Sequence, residues 1–183
     1  MVSIYPPEAK AVLLLLTSEE ELAEKVISHF EKILGPVEFK TPWHIFNHTP
    51  YYEEELGPNL KRCLISFKNI FEPEKLPELK NASRKLESKL AMGQQRTINI
   101  DPGYVDLFKF LLASGKAGGQ KVALAKDVYA YTLLRFEKGI WQPFEWTYPD
   151  FKETTYHPVL LQARESLKKE LARTTSRSKS PAH

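Results

Sequence analysis

Two short segments of the chain concentrate the side chains able to do chemistry. The first, Trp43 to Glu55, packs His44, His48, Tyr51, Tyr52 and the acids Glu53, Glu54 and Glu55 into thirteen positions. An imidazole at His48 suits a proton donor or a phosphate partner. The phenols of Tyr51 and Tyr52 suit the orientation of a ligand. His44 and His48 invite a metal reading, but on a strand residues four apart lie about 13 Å from one another. Pro42 and the aromatic content argue against the helix that would bring them together, so no metal is assigned. His44 then reads as packing, and the alternative for His48 is a hydrogen bond fixing the turn at Thr49-Pro50. The second segment is Thr97 to Tyr104. Strand alternation places Thr97, Asn99 and Asp101 on the face opposite Ile98 and Ile100. Hydroxyl, amide and carboxylate together suit a cation, an amine or ribose hydroxyls, with Asp101 as base or cation partner. Asp101 also has a plainer reading, a hydrogen bond within its own turn. Pro102-Gly103 fits the central positions of a type II turn, which would present Tyr104 beside the site. Asp101 and His48 are thus the catalytic candidates. Tyr51, Tyr52, Asn99 and Tyr104 are the ligand-binding candidates.

Weaker signals surround these. Ser114 to Gln120 carries Gly115, Gly118, Gly119 and Lys116, as phosphate loops do, but matches neither the P-loop nor the dinucleotide spacing. It reads as a flexible loop whose backbone amides are free for an anion. Trp146 to Phe151 either walls a pocket or covers a core edge. Cys63 sits in an apolar run and reads as core rather than nucleophile. As the single cysteine it allows no disulfide within the chain, which points to a reducing, cytoplasmic setting. No apolar run approaches the roughly 18 residues a membrane span needs, and Met1 to Pro7 lacks the pattern of a secretory signal. The net charge of +3 comes from 26 basic and 23 acidic residues. Setting aside Arg173, Arg177 and Lys179 near the C-terminus leaves a neutral body. A neutral body lacks the basic surface that nucleic acid binding uses, so nucleic acid is not the expected partner.

The elements that must position these residues follow from periodicity. Ala9 to Thr17 is an apolar run of a central strand covered on both faces. A helix from about Glu19 carries Leu22, Val26, Phe30 and Leu34 at spacing four and stops at Gly35-Pro36. Val37 to Phe46 reads as an extended edge segment, Leu60 to Phe67 as a strand, and Pro73 to Met92 as a helix. Arg96 to Asp101 is a strand ended by Pro102-Gly103, and Leu107 to Ser114 fits strand or helix. Lys121 to Leu124, Val128 to Glu137 and Ile140 to Trp146 read as strands, the last two joined by a hairpin at Lys138-Gly139. Tyr148 to Thr155 reads as irregular. Pro158 to Arg173 is a last helix, and 174–183 reads as a disordered polar tail. The expectation is one α+β domain over 1–173: a mixed, mostly antiparallel sheet with helices packed on it, its β-α-β-β-α-β beginning ferredoxin-like.

Phe46-Asn47-His48-Thr49-Pro50-Tyr51-Tyr52, Arg62 with Ser66-Phe67, Asn99 to Tyr104 and Trp146 to Asp150 together resemble the landmarks of the prokaryotic family called domain of unknown function 4416. The likeness runs to about Leu171. The family's first motif usually reads Phe-Asp-His-Thr-x-Tyr-Tyr, and Asn47 stands here in place of the acid. The resemblance implies one domain and a cytoplasmic setting, and adds Arg62 to the ligand-binding candidates. It brings over no reaction, and the cofactor stays unknown. Three functions stay open on the residues: a protein handling a small molecule, nucleotide or phosphate; a non-catalytic interaction module; and RNA binding through the sheet face and basic tail. The first requires the two segments to converge on one pocket. The second requires that no open pocket exist around Asp101.

Overall fold

The structure, a computed structural model, describes residues 8–93 and 95–178. Strand β1 (Ala9–Thr17) is the centre of the molecule and is buried along its whole length. Its side chains alternate between two core layers: Ala9, Ala11, Leu13 and Leu15 on one face, Val12 and Leu14 on the other. Helix α1 (Glu20–Leu34) covers the first face with Val26, Ile27 and Phe30. Strands β2 (Val37–Lys40) and β3 (His44–Ile45) both pair with β4 (Lys61–Phe71), and β4 pairs with β1. Between β3 and β4 lies a short helix, α2 (Glu53–Leu56). Helix α3 (Leu76–Leu90) joins α1 on the first face and leads into β5 (Ile98–Val105), which lies against the other edge of β1.

The order β2-β4-β1-β5 is the split β-α-β arrangement expected of a ferredoxin-like start. The sheet then continues through β6 (Lys109–Ser114), β8 (Val128–Glu137) and β7 (Val122–Ala125), with β9 (Ile140–Pro143) also on β8. Every ladder among the described residues is antiparallel, which bears out the expectation of a mostly antiparallel sheet and leaves out only its parallel part. Lys138 and Gly139 both take positive φ (54° and 83°), so the expected hairpin turn has the primed geometry that matches strand twist. After β9 the chain forms α4 (Pro149–Lys152) and then α5 (His157–Ser178). Helix α5 lays Val159, Leu160, Ala163 and Leu167 on the Val12/Leu14 face. Burying a leucine there contributes about 2 kcal/mol. The helix runs five residues past Arg173, where the tail was expected to begin; residues 179–183 lie outside those described. Lys10, fully buried in β1, anchors α5 through Glu170 at 2.7 Å. No helix among the described residues is long and apolar enough to cross a membrane.

The feature that shapes the site is a gap in the sheet. Strand β5 does not end at Pro102-Gly103; it runs through them to Val105, so the expected type II turn is absent. Its ladder to β6 covers only Gly103 to Val105, although its ladder to β1 begins at Ile98. The amide and carbonyl of Ile100 point away from β1 and are taken by α3, Glu87 Oε1 accepting from the amide (2.5 Å) and Lys80 Nζ donating to the carbonyl (3.3 Å). Pro102, two residues on, presents its backbone on that same side and has no N–H to offer a neighbouring strand. Beyond Gly103, therefore, β6 parts from β5. Gly103 itself fits only because it lacks a Cβ: one built there would stand 2.1 Å from the Leu111 carbonyl oxygen. Gly103→Ala is expected to cost about 1–3 kcal/mol, as overpacked cores do. Gly119→Ala, whose Cβ would meet nothing within 4 Å, should stay within about 0.5 kcal/mol of the parent. Urea denaturation of the two variants checks the contrast.

Candidate functional site

The gap between β5 and β6 opens into a cleft of about 380 Å³. Its floor is a chain of hydrogen bonds that alternates in charge. Glu55 of α2 holds Arg96 in a two-pronged pair (2.5 and 2.7 Å). Arg96 Nη1 donates to Asn99 Oδ1 (3.0 Å), Asn99 Nδ2 donates to Asp101 Oδ2 (2.7 Å), and Lys80 Nζ donates to Asp101 Oδ1 (2.8 Å). Because a guanidinium only donates and a carboxylate only accepts, the orientation of the Asn99 amide is settled by chemistry. Asn99 and Asp101 lie on the face opposite Ile98 and Ile100, as alternation requires. Lys80 comes from α3 on the Ile98 side, so its side chain passes through the gap to reach Asp101. The five residues tie α2, β5 and α3 into one unit.

Electrostatics follow from this floor. Burial pushes the Asp101 carboxyl upward, but the Lys80 ammonium and the hydrogen bonds from Lys80 and Asn99 outweigh it, and Asp101 titrates below the usual aspartate range. Glu87 goes the other way: burial raises it above the usual glutamate range, only partly offset by the Ile100 amide. The hydrogen bond from Arg96 lowers Glu55. Burial and the Asp101 charge raise both Tyr52 and Tyr148, whose phenols reach into the same space.

The second wall is cationic. Arg84 of α3 approaches Gly115 so closely that a Cβ there would meet its Nη2 at 2.5 Å. Lys116 bonds the Tyr51 hydroxyl across the mouth, its ammonium 4.5 Å from that ring's centre. Lys121 donates to Ser114 Oγ (2.8 Å) and to the Lys116 carbonyl (3.0 Å), with its ammonium 5.0 Å from the Tyr131 ring centre. Among the described residues none of these three cations has an ion-pair partner, in contrast to Lys80 and Arg96. Burial and the neighbouring Lys116 charge favour the neutral form of Lys121, which titrates below the usual lysine range despite Asp101.

Local chain geometry explains which candidates converge. Thr49 Oγ1 accepts the Tyr51 amide (3.2 Å) and caps a single 3-10 turn, Pro50–Tyr52, with Pro50 at its start. That turn sends Tyr51 and Tyr52 to the cleft, where they meet Asn99 and Asp101. His48, one residue before the cap, falls on the other side with His44, in a separate hollow lined also by Asp150 and Glu153. Tyr104 does not line the cleft; it is buried beneath α1 and α3, its ring 6.4 Å from that of Phe71. Arg62 is a clamp. It is buried, bonded to Asp150 at 2.5 Å, and stacked 3.9 Å from the centre of the Phe46 ring. By holding α4 it holds the preceding Tyr148, assisted by Thr147, which donates to the Leu133 carbonyl at 2.5 Å.

Sequence reasoning missed Lys80, Arg84, Glu87, Arg96 and Lys121. A signal was present: the stripe of α3 that begins Leu76, Leu79 continues with Lys80, Ser83 and Glu87, so polar residues occupy the buried face. Cys63 is fully buried and its thiol is pushed up by burial, in keeping with a core residue. Among the described residues no three or more His, Cys, Asp or Glu side chains are grouped to hold a metal.

The molecule is thus an α+β protein with a ferredoxin-like start, an extended antiparallel sheet and a polar, tyrosine-lined cleft at a break in that sheet. A model of the family described as domain of unknown function (DUF4416) matches residues 7–167, and the chain belongs to that family. No curated protein and no solved structure matches it.

A carboxylate that titrates low stabilises the fold above its unfolded value, about pH 3.9 for aspartate, and that stabilisation disappears as pH falls through the lower native value. Asp101→Asn should therefore cost about 2 kcal/mol or more at neutral pH, because it leaves the Lys80 charge buried without its partner. The difference from wild type should shrink as the pH falls below about 4 and on through the lower native value, beneath which Asp101 is protonated in both states. Urea denaturation across pH measures this; a difference that does not vary with pH would show that Asp101 acts by packing alone.

Proposed function

We propose that this protein binds a small anionic molecule, phosphate- or carboxylate-bearing, in the cleft between β5 and β6. The observation that carries the reading is the meeting of Arg84, Lys116 and Lys121 in one cleft without a carboxylate partner, in a chain whose body is otherwise charge-balanced. Three cations held together repel one another; an anion removes that repulsion and accepts their hydrogen bonds. The convergence of Tyr51, Tyr52, Asn99 and Asp101 supports a ligand site over an interaction module, which called for no open pocket at Asp101. RNA binding through the sheet face has less support, since α5 lies across the face that α1 and α3 leave uncovered. The reading assigns no role to His48 or Tyr104. A cytoplasmic setting accords with the single buried thiol.

Isothermal titration with inorganic phosphate and with citrate tests the proposal. At least one should bind wild type. Lys121→Ala and Lys116→Ala should each weaken binding about tenfold, the scale of one charge-assisted hydrogen bond. His48→Ala should leave affinity unchanged. Absence of binding by either anion, or equal binding by wild type and Lys121→Ala, rejects the reading.

A further inference from the structure

The cleft is not uniformly cationic, and its asymmetry narrows the ligand. The cationic wall offers Arg84 from α3 with Lys116 and Lys121 from the loop. The β5 wall offers Asp101, an acceptor whose carboxylate is still about one-fifth exposed (22%) after Lys80 and Asn99 have bonded to it. Each carboxylate oxygen accepts more than one hydrogen bond, so Asp101 retains capacity facing the cavity. A second anionic group on the ligand would gain nothing beside this carboxylate, whose neighbouring cation is already engaged. The Asp101 charge is already balanced by Lys80, so a ligand ammonium gains little there. Neutral donors remain, and hydroxyls are the group that suits an ionised carboxylate so placed. Beside it stand the phenols of Tyr52 and Tyr148. Neither hydroxyl has a hydrogen-bond partner among the described residues, and each feels the Asp101 charge. A phenol both donates and accepts, and its ring gives a flat apolar surface for the carbon face of a ring. The volume, about 380 Å³, lies at the small end of ligand sites, which span about 300–1,000 Å³. It suits one ring and one anionic group.

We infer, building on the anion-binding reading above, that the ligand is a phosphomonoester of a hydroxyl-bearing ring of sugar size. Its phosphate is held by Arg84, Lys116 and Lys121, and its hydroxyls by Asp101 with the phenols of Tyr52 and Tyr148. A free sugar phosphate and a nucleoside monophosphate share this chemistry.

Calorimetric titrations with inorganic phosphate, ribose 5-phosphate and adenosine 5′-monophosphate, on the full chain, separate the outcomes. At least one ribosyl phosphate should bind about tenfold or more tighter than inorganic phosphate, the worth of one or two additional hydrogen bonds. Whichever of the two binds more tightly identifies the source. Tyr148→Phe, which removes one unpartnered hydroxyl, should erase about threefold or more of that advantage while leaving phosphate affinity within about twofold. Asp101→Asn should also erase about threefold or more of that advantage, while phosphate itself binds as well or more tightly, because the Lys80 charge in the cleft is left unpaired. Should that variant fail to fold, Tyr148→Phe and Tyr52→Phe decide, each checked for an unchanged melting temperature. Lys121→Ala should weaken phosphate and ribosyl phosphate alike. Equal affinity for phosphate and both ribosyl phosphates overturns the inference while leaving the anion site standing. So does an advantage untouched by the tyrosine variants. If neither phosphate nor a ribosyl phosphate binds, the inference falls; if citrate binds while they do not, the anion site survives as a carboxylate site.

Discussion

A missing hydrogen-bond donor organises the functional half of this protein. Pro102 sits in strand β5, on the side where β6 would otherwise add to the sheet, and offers that neighbour no N–H. The ladder between the two strands is therefore short, and the backbone of Ile100 is left facing open space. An unsatisfied buried amide and carbonyl would cost several kcal/mol, so side chains from α3 take both: Glu87 the amide, Lys80 the carbonyl. Lys80 thereby reaches Asp101 on the far side of the strand. The cleft is the space left where two strands part, and its polar floor is the set of groups that satisfies the separated backbone.

Charge is distributed by the same logic. Lys80 with Asp101, Arg62 with Asp150 and Lys10 with Glu170 are buried or half-buried pairs. Pairs of this kind add little net stability against the cost of desolvation, but neither member can leave without exposing its partner's charge to the interior. They hold elements in register: Lys10 holds α5 to β1, Arg62 holds α4 and through it Tyr148, and the Glu55–Arg96–Asn99–Asp101–Lys80 chain holds α2, β5 and α3. Arg84, Lys116 and Lys121 stand apart because their bonds go to neutral oxygens. Among the described residues they are the cations of the cleft that have no carboxylate partner.

Much of this was legible in the residues. The order β-α-β-β-α-β and the continuous apolar run of β1 specify a sheet covered on both faces, and both were observed. Alternation along β5 placed Asn99 and Asp101 together, and the Thr49-Pro50 cap left Tyr51 and Tyr52 free to point elsewhere. Two expectations failed for local reasons. Pro102-Gly103 has the composition of a turn, yet Gly103 takes no positive φ and serves instead to admit the Leu111 carbonyl. Carried straight through these two residues, the alternation itself assigns Tyr104 to the Ile98 and Ile100 face, where it lies. His48 is three residues from Tyr51 in sequence, but the single 3-10 turn that carries Tyr51 sends the two side chains to different hollows.

The sequence by itself determined the long elements, the faces they bury and the acid–amide pair at the site, because hydrophobic period and strand alternation act over a few residues; the short helices α2 and α4 carry too few residues to show a period. Only the tertiary structure decided which cations meet that pair. Lys80, Arg84, Arg96, Lys116 and Lys121 come from a helix, a strand approach and a loop up to 41 residues apart. They are gathered by the parting of β5 from β6, a long-range event set by which strand finds no donor at Pro102. No local pattern records that encounter, since each of those lysines and arginines taken alone has the signature of an ordinary solvated surface.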